Sequence, residues 1–259
     1  MSQADDIAIA IALADAAGAA IRPFFRAPYE IDTKADASPV TEADKAAELA
    51  MRAIIEKMLP DDGIIGEEYG TTRPDASRTW VLDPIDGTRS FIAGRPIFGT
   101  LIALMQDGWP MIGIIDQPIS GERWIGAIGL PTTLNGKAIT TRRCRDLDQA
   151  ILATTGPQYF AGHKGEHFSI LAGQTRDTLW GGDCYNYGLL ASGHVDIVVE
   201  SGLKLYDLVA LVPIVEGAGG RMCDWSGEPL TDASEGDVIA IGDPARLDDV
   251  IEALACHGH

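Results

Sequence analysis

The chain has 259 residues, 46% of them hydrophobic, enough for one large core or two modest ones. Its net charge of −18 argues against non-specific nucleic-acid binding, which needs Lys and Arg to neutralise phosphates. The acidic start, Met1 to Asp6, lacks the basic flank of a secretory signal and no apolar run reaches membrane-span length, so a cytoplasmic protein with no nucleic-acid or membrane partner is expected.

Residues 5–26 are Ala-rich, with Ile7, Ile11, Ala14, Ala17 and Ile21 at helical spacing, which predicts an amphipathic helix kinked or ended by Pro23. A polar loop over 32–38 precedes a second helix over 42–59, whose opening Thr41-x-x-Asp44 fits a capping box, so Asp44 has a structural role open to it. After Pro60 come short apolar runs over 63–66, 79–82, 98–106, 111–117 and 123–127. Asp107-Gly108, Pro118 and Asn135-Gly136 punctuate them, which predicts antiparallel strands and hairpins. From residue 150 the pattern alternates: strand 150–154, helix 165–172, strand 178–180, helix 185–192, strand 195–200, helix 206–216, strands 220–224 and 238–242, helix 244–256. The fold class expected is α/β, with an α+β half over 1–145 packed closely on an α/β half over 146–259. Four scattered cysteines, Cys144, Cys184, Cys223 and Cys256, indicate neither a zinc site nor a disulfide framework.

The stretch Val81-Leu82-Asp83-Pro84-Ile85-Asp86-Gly87-Thr88 carries the most chemistry. An apolar run reads as a buried strand, Pro84 lacks the N–H to continue a central one, and two acids then lie on a stiff turn at its end. Asp, Pro and Gly are also ordinary turn residues, so this motif alone would be only a turn. Glu67 and Glu68 end another apolar run, and Asp44 and Asp207 each open a helix. Convergence of these acids would cost about 4 kcal/mol per unit-charge pair at 4 Å and an effective dielectric of 20, so it would imply bound cations. Oxygen-only ligands suit Mg²⁺. An anionic protein would also need metal ions or local basic groups to receive a phosphorylated substrate.

Glu67-Glu68, Asp83-Pro84-Ile85-Asp86-Gly87-Thr88, and Asp207 followed by Glu216-Gly217-Ala218-Gly219-Gly220 resemble the inositol monophosphatase family of metal-dependent phosphatases. The resemblance covers nearly the whole chain, including Lys34, Asp44 and Leu134-Asn135-Gly136, and implies a layered αβαβα sandwich and a homodimer. Gly181-Gly182-Asp183-Cys184-Tyr185, Gly193-His194-Val195-Asp196 and Glu200 to Asp207 look most like its histidinol-phosphatase branch. Tyr206 stands where many relatives have Trp, which leaves the adjoining Asp207 intact.

By that resemblance Glu67, Asp83, the Ile85 carbonyl, Asp86 and Asp207 would hold two or three Mg²⁺. A metal-activated water would attack the phosphate ester with no covalent intermediate. Thr88 would relay a proton to Asp44 with Glu68 behind it, although Thr88 also suits a plain helix cap. Lys34, Gly87, Thr88, Asp183 and Glu200 would bind the small phosphorylated substrate, the Gly87 and Thr88 N–H groups seating the phosphate. Asp183 would meet the ammonium of histidinol phosphate, and it also suits a cap for the following helix. Inositol monophosphate or another sugar phosphate is the alternative substrate, and a non-catalytic regulatory protein of the same fold is the alternative of another class. His163 and His167 read as surface histidines, Trp80 and Trp124 as core, and Arg142-Arg143-Cys144-Arg145 as a solvated turn.

Overall fold

A computed structural model describes residues 1–28, 31–33 and 39–255. Helix α1, Gln3–Ile21, opens on a capping box in which Ser2 and Asp5 satisfy each other's backbone N–H groups. It stops before Pro23, five residues short of the end of the segment read as 5–26. Strands β1, Ile31–Thr33, and β2, Pro39–Thr41, form a small antiparallel pair, and α2, Glu42–Met58, follows with Thr41 and Asp44 as its capping box. Strands β3, Gly63–Gly66, and β4, Gly70–Thr72, lead to β5, Arg78–Asp86, and the short helix α3, Thr88–Ile92. The meander β6, Gly99–Gln106, β7, Trp109–Gln117, β8, Glu122–Ala127, β9, Leu130–Leu134, and β10, Lys137–Ala138, completes an eight-stranded sheet. Its order is β10-β9-β8-β7-β6-β5-β3-β4, antiparallel except for β3 beside β5.

The second sheet interleaves with helices: β11, Ile151–Thr154; α4, Lys164–Gln174; β12, Asp177–Trp180; α5, Tyr185–Ala191; and β13, Ile197–Glu200. Then come α6, Leu205–Leu208; α7, Leu211–Gly217; β14, Arg221–Cys223; β15, Val238–Ile241; and α8, Leu247–Leu254. Its order is β12-β11-β13-β15-β14, parallel on the β12-β11-β13 side and antiparallel beyond it. The single helix expected over 206–216 is two, because Pro213 cannot donate to the Val209 carbonyl and the helix breaks there.

Three cores separate five layers. One lies between α1, α2 and the large sheet, and includes Leu13, Met51, Trp80 and Leu82. The second joins the two sheets through α5, α6 and α7, and includes Trp124, Tyr187 and Leu208. The third lies under α4 and α8 and includes Phe168 and Val250. This is the αβαβα arrangement expected, with Trp80 and Trp124 both buried. Arg142 keeps a side chain 39% exposed, and its guanidinium also pairs with buried Asp196, which accepts the Ile151 N–H at 2.8 Å. Cys144, Cys184 and Cys223 are free and buried, and no described helix is long and apolar enough to cross a membrane.

Candidate active site

Strand alternation explains how two acids three residues apart come to one side. Trp80 and Leu82 face the α1/α2 core and Val81 faces the central core, so Asp83 points inward with Val81. In a regular strand Asp86 would then point outward. The pairing of β5 with β6 shifts register between Asp83 and Asp86, and within that irregularity Ile85 turns to the α1/α2 core, so Asp86 returns to the inner side. The strand therefore does not end at Pro84. It passes through it, because β3 pairs only as far as Leu82 and the bulge on the β6 side asks for no N–H from residue 84. The reversal comes at Gly87, with φ of +81°, where a Cβ would lie 2.6 Å from Asp183 Oδ2.

Asp207, in the first turn of α6, brings a third carboxylate across from the second sheet's side. Oxygen atoms of Asp83, Asp86 and Asp207 lie within 4.8 Å of one another. Asp83 is buried and the other two are half-buried at the wall of a cavity of about 180 Å³. Among the described residues no Lys or Arg forms an ion pair with any of the three. Burial, then repulsion from the neighbouring acids, pushes Asp83 and Asp86 well above the carboxylate range. Burial pushes Asp207 up to about 7, against the Lys204 N–H that its Oδ2 accepts at 2.7 Å. Were all three ionised with nothing between them, each pair would repel by about 3 kcal/mol at an effective dielectric of 20. An oxygen-only set of this kind fits a hard divalent cation.

Around this cluster the other predicted residues fall as follows. Glu67 lines the same cavity, at the turn after β3. The Ile85 N–H donates to Asp83 Oδ1 at 3.0 Å, and the Ile85 carbonyl accepts the Thr88 hydroxyl at 3.1 Å. Thr88 is thus neither a side-chain cap nor, in this arrangement, a donor to Asp44: α3 begins after Gly87 with no capping side chain. Asp44 performs its capping role through Oδ2 alone, which accepts the Thr41 N–H and hydroxyl at 2.8 and 2.5 Å. Its Oδ1 is buried and has no hydrogen-bond partner among the described residues, and burial pushes the carboxyl up to about 6, with Glu67 adding repulsion against the lowering effect of Thr41.

Asp183 adopts φ of +46° and does not cap α5; its Oδ2 accepts the Ser90 hydroxyl at 2.8 Å. Burial raises its pKa, while Ser90 and the Arg95 charge oppose the rise, so this carboxylate is partly engaged by the protein itself. Glu200 Oε1 accepts the Thr155 N–H and hydroxyl at 3.0 and 2.7 Å, and burial pushes the carboxyl up to about 8. Both acids line the cavity, as do Gly87 and Thr88. Lys34 lies outside the described residues.

One support was not read from the sequence. Glu48, fully buried on α2, accepts the Glu68 N–H at 2.7 Å and the Tyr69 N–H at 3.2 Å, and pairs with Arg52 at 2.7 Å. A Cβ at Gly66 would overlap its carboxylate, so a glycine there lets the turn carrying Glu67 and Glu68 approach. An acid at a helical position facing Ala47 and Met51 is the one sign the sequence offers, and it is also what a salt-bridged surface residue shows.

A layered αβαβα fold with an all-oxygen cluster of acids at the wall of a cavity defines the class. The chain belongs to the inositol monophosphatase family, whose profile matches residues 2–259. It is 50% identical over 259 residues to the bifunctional phosphatase IMPL2, chloroplastic, of Arabidopsis thaliana, covering 96% of this chain and 75% of that protein. It is 36% identical over 240 residues to the histidinol-phosphatase of Chlorobaculum parvum, covering 91% and 92%. A solved inositol monophosphatase from Zymomonas mobilis superposes with a TM-score of 0.91 at 59% identity, covering 98% and 99%. The family is one of phosphatases and is generally metal-dependent, and the Asp83, Asp86 and Asp207 cluster could bind a metal.

Proposed function

We propose that this protein is a Mg²⁺-dependent phosphomonoesterase that releases phosphate from histidinol phosphate. The observation that carries the proposal is the cavity itself, where Glu200 and Asp183 stand on the same wall system as the acidic cluster. One end can therefore take a neutralised phosphate and the other a cationic amine. The names of the relatives support both levels unequally: phosphatase is common to them, whereas histidinol phosphate and inositol monophosphate each appear.

Glu67, Asp83, the Ile85 carbonyl, Asp86 and Asp207 would hold the Mg²⁺, two or three ions by family likeness. Bound there, Mg²⁺ supplies charge neutralisation at the phosphoryl oxygens and acidifies water for attack. The chain's own groups do the rest. Gly87 and Thr88 offer the first N–H groups of α3, which have no partner inside the helix, to the phosphate. Asp44, with one bare oxygen and a pKa near 6, is suited to take a proton from the attacking side. Thr88 holds the Ile85 carbonyl in place, and its hydroxyl turns toward Asp44 only on giving up that bond. Glu68 backs this set from the turn that Glu48 clamps. Glu200 and Asp183 orient the amine, and Lys34 would contact the substrate by family likeness alone.

Phosphate release from histidinol phosphate and from inositol 1-phosphate, with Mg²⁺ and with chelator, tests the reading. At least a tenfold higher kcat/KM on histidinol phosphate is expected, and a preference for inositol 1-phosphate would replace the substrate. Release undiminished by chelator would remove the metal. The proposal includes a homodimer, and sedimentation as a monomer at micromolar concentration would remove that part.

A further inference from the structure

The phenol of Tyr187 is used by none of the roles above. Its ring belongs to the central core and only 1% of the residue is exposed, yet it lines the cavity. Its hydroxyl oxygen is buried and has no hydrogen-bond partner among the described residues. Glu200, Asp86 and Asp207 line the same cavity as this ring, and their negative charges bear on the phenol. Phe would fill the same core space. A buried hydroxyl left unbonded lowers stability, so the group makes physical sense only if something entering the cavity bonds to it.

The geometry points to Tyr187 as a specificity-determining residue, whose hydroxyl binds a hydrogen-bond donor on the carbon skeleton of the substrate. This rests on the phosphatase reading above, and under the histidinol phosphate assignment the donor is the ammonium group. Thr155 already occupies Oε1 of Glu200, which leaves Oε2 for a ligand. An ammonium nitrogen at that place donates to Glu200 Oε2 and to the Tyr187 oxygen together. In histidinol phosphate the amine sits on the carbon next to the one bearing the phosphate ester. An ammonium so near the ester matches a hydroxyl on a residue that lines the cavity together with Asp86, Asp207 and Glu200.

The test is Tyr187→Phe, assayed with histidinol phosphate, its des-amino analogue, inositol 1-phosphate and p-nitrophenyl phosphate. On the preferred natural ester KM should rise about tenfold, the loss of one hydrogen bond to a charged donor, with kcat within about twofold. KM for the des-amino analogue and for p-nitrophenyl phosphate should not change. The metal-free, substrate-free variant should melt about 2 °C or more above the parent, because an unbonded hydroxyl has been removed from the interior. An equal loss on all four esters, an unchanged KM on the preferred one, or a lower melting temperature would overturn the assignment. If the parent prefers inositol 1-phosphate, the histidinol phosphate reading fails by itself. The role of Tyr187 is then still decided by whether KM for that ester rises.

Discussion

Glu48→Gln perturbs the scaffold of the site without touching the cavity. The Glu48 carboxylate is fully buried and serves three donors: the Glu68 and Tyr69 N–H groups at 2.7 and 3.2 Å, and Arg52 Nε at 2.7 Å. An amide keeps the shape but offers one acceptor oxygen in place of two, and its NH₂ must face a donor. Arg52, only 11% exposed, keeps its bonds to the Thr72 hydroxyl at 3.0 Å and to the Gly70 carbonyl but loses its counter-charge. Breaking a buried pair from one side costs about 3 to 5 kcal/mol. For a chain of this size that corresponds to a melting temperature lower by roughly 6 to 20 °C. The turn bearing Glu67 and Glu68 loosens with it, and groups that orient metal ligands typically cost about 10- to 100-fold in affinity or activity when changed. Thermal melts in chelator and Mg²⁺ titration of phosphate release measure the two effects separately. A variant with the parent's melting temperature and the parent's Mg²⁺ half-saturation would refute the idea that Glu48 holds this turn.

Two other expectations bear on the cavity. Asp86→Asn should abolish turnover yet leave the fold intact, because an amide oxygen can still accept the Cys184 N–H now held at 2.6 Å; activity within tenfold of the parent would contradict a metal-ligand role. Glu200, with a folded-state pKa near 8 against an ordinary 4.5, favours the folded state fully only below about pH 4.5. That contribution falls by roughly 1.4 kcal/mol per pH unit as pH rises, until the folded-state carboxyl ionises near pH 8. Glu200→Gln should therefore flatten the metal-free stability profile between those limits, and an unchanged slope in denaturant melts would show that Thr155 already stabilises the ionised form.

Much of the architecture was legible because it rests on short-range pattern. The capping box at Thr41, the apolar runs over 98–106 and 111–117 and the Asn135-Gly136 turn are each set by neighbours in sequence. The elements misread were those decided by partners. Pro84 is tolerated within β5 because neither neighbouring strand asks it for an N–H, and Arg142 is paired with Asp196, more than fifty residues away.

The sequence by itself determined the family, the oxygen-only chemistry of Asp83, Asp86 and Asp207, and the helix-opening place of Asp44, since residue type and local spacing are enough for these. Only the tertiary structure decided which oxygens remain available. The Asp44 Oδ2 atom is spent on Thr41 and its Oδ1 is bare, Asp183 is half-engaged by Ser90, and Glu200 keeps one oxygen beyond Thr155. It alone brought the unbonded hydroxyl of Tyr187 to the same cavity. A hydrogen bond between residues far apart in the chain is fixed by packing to within a fraction of an ångström, and no local pattern carries that information.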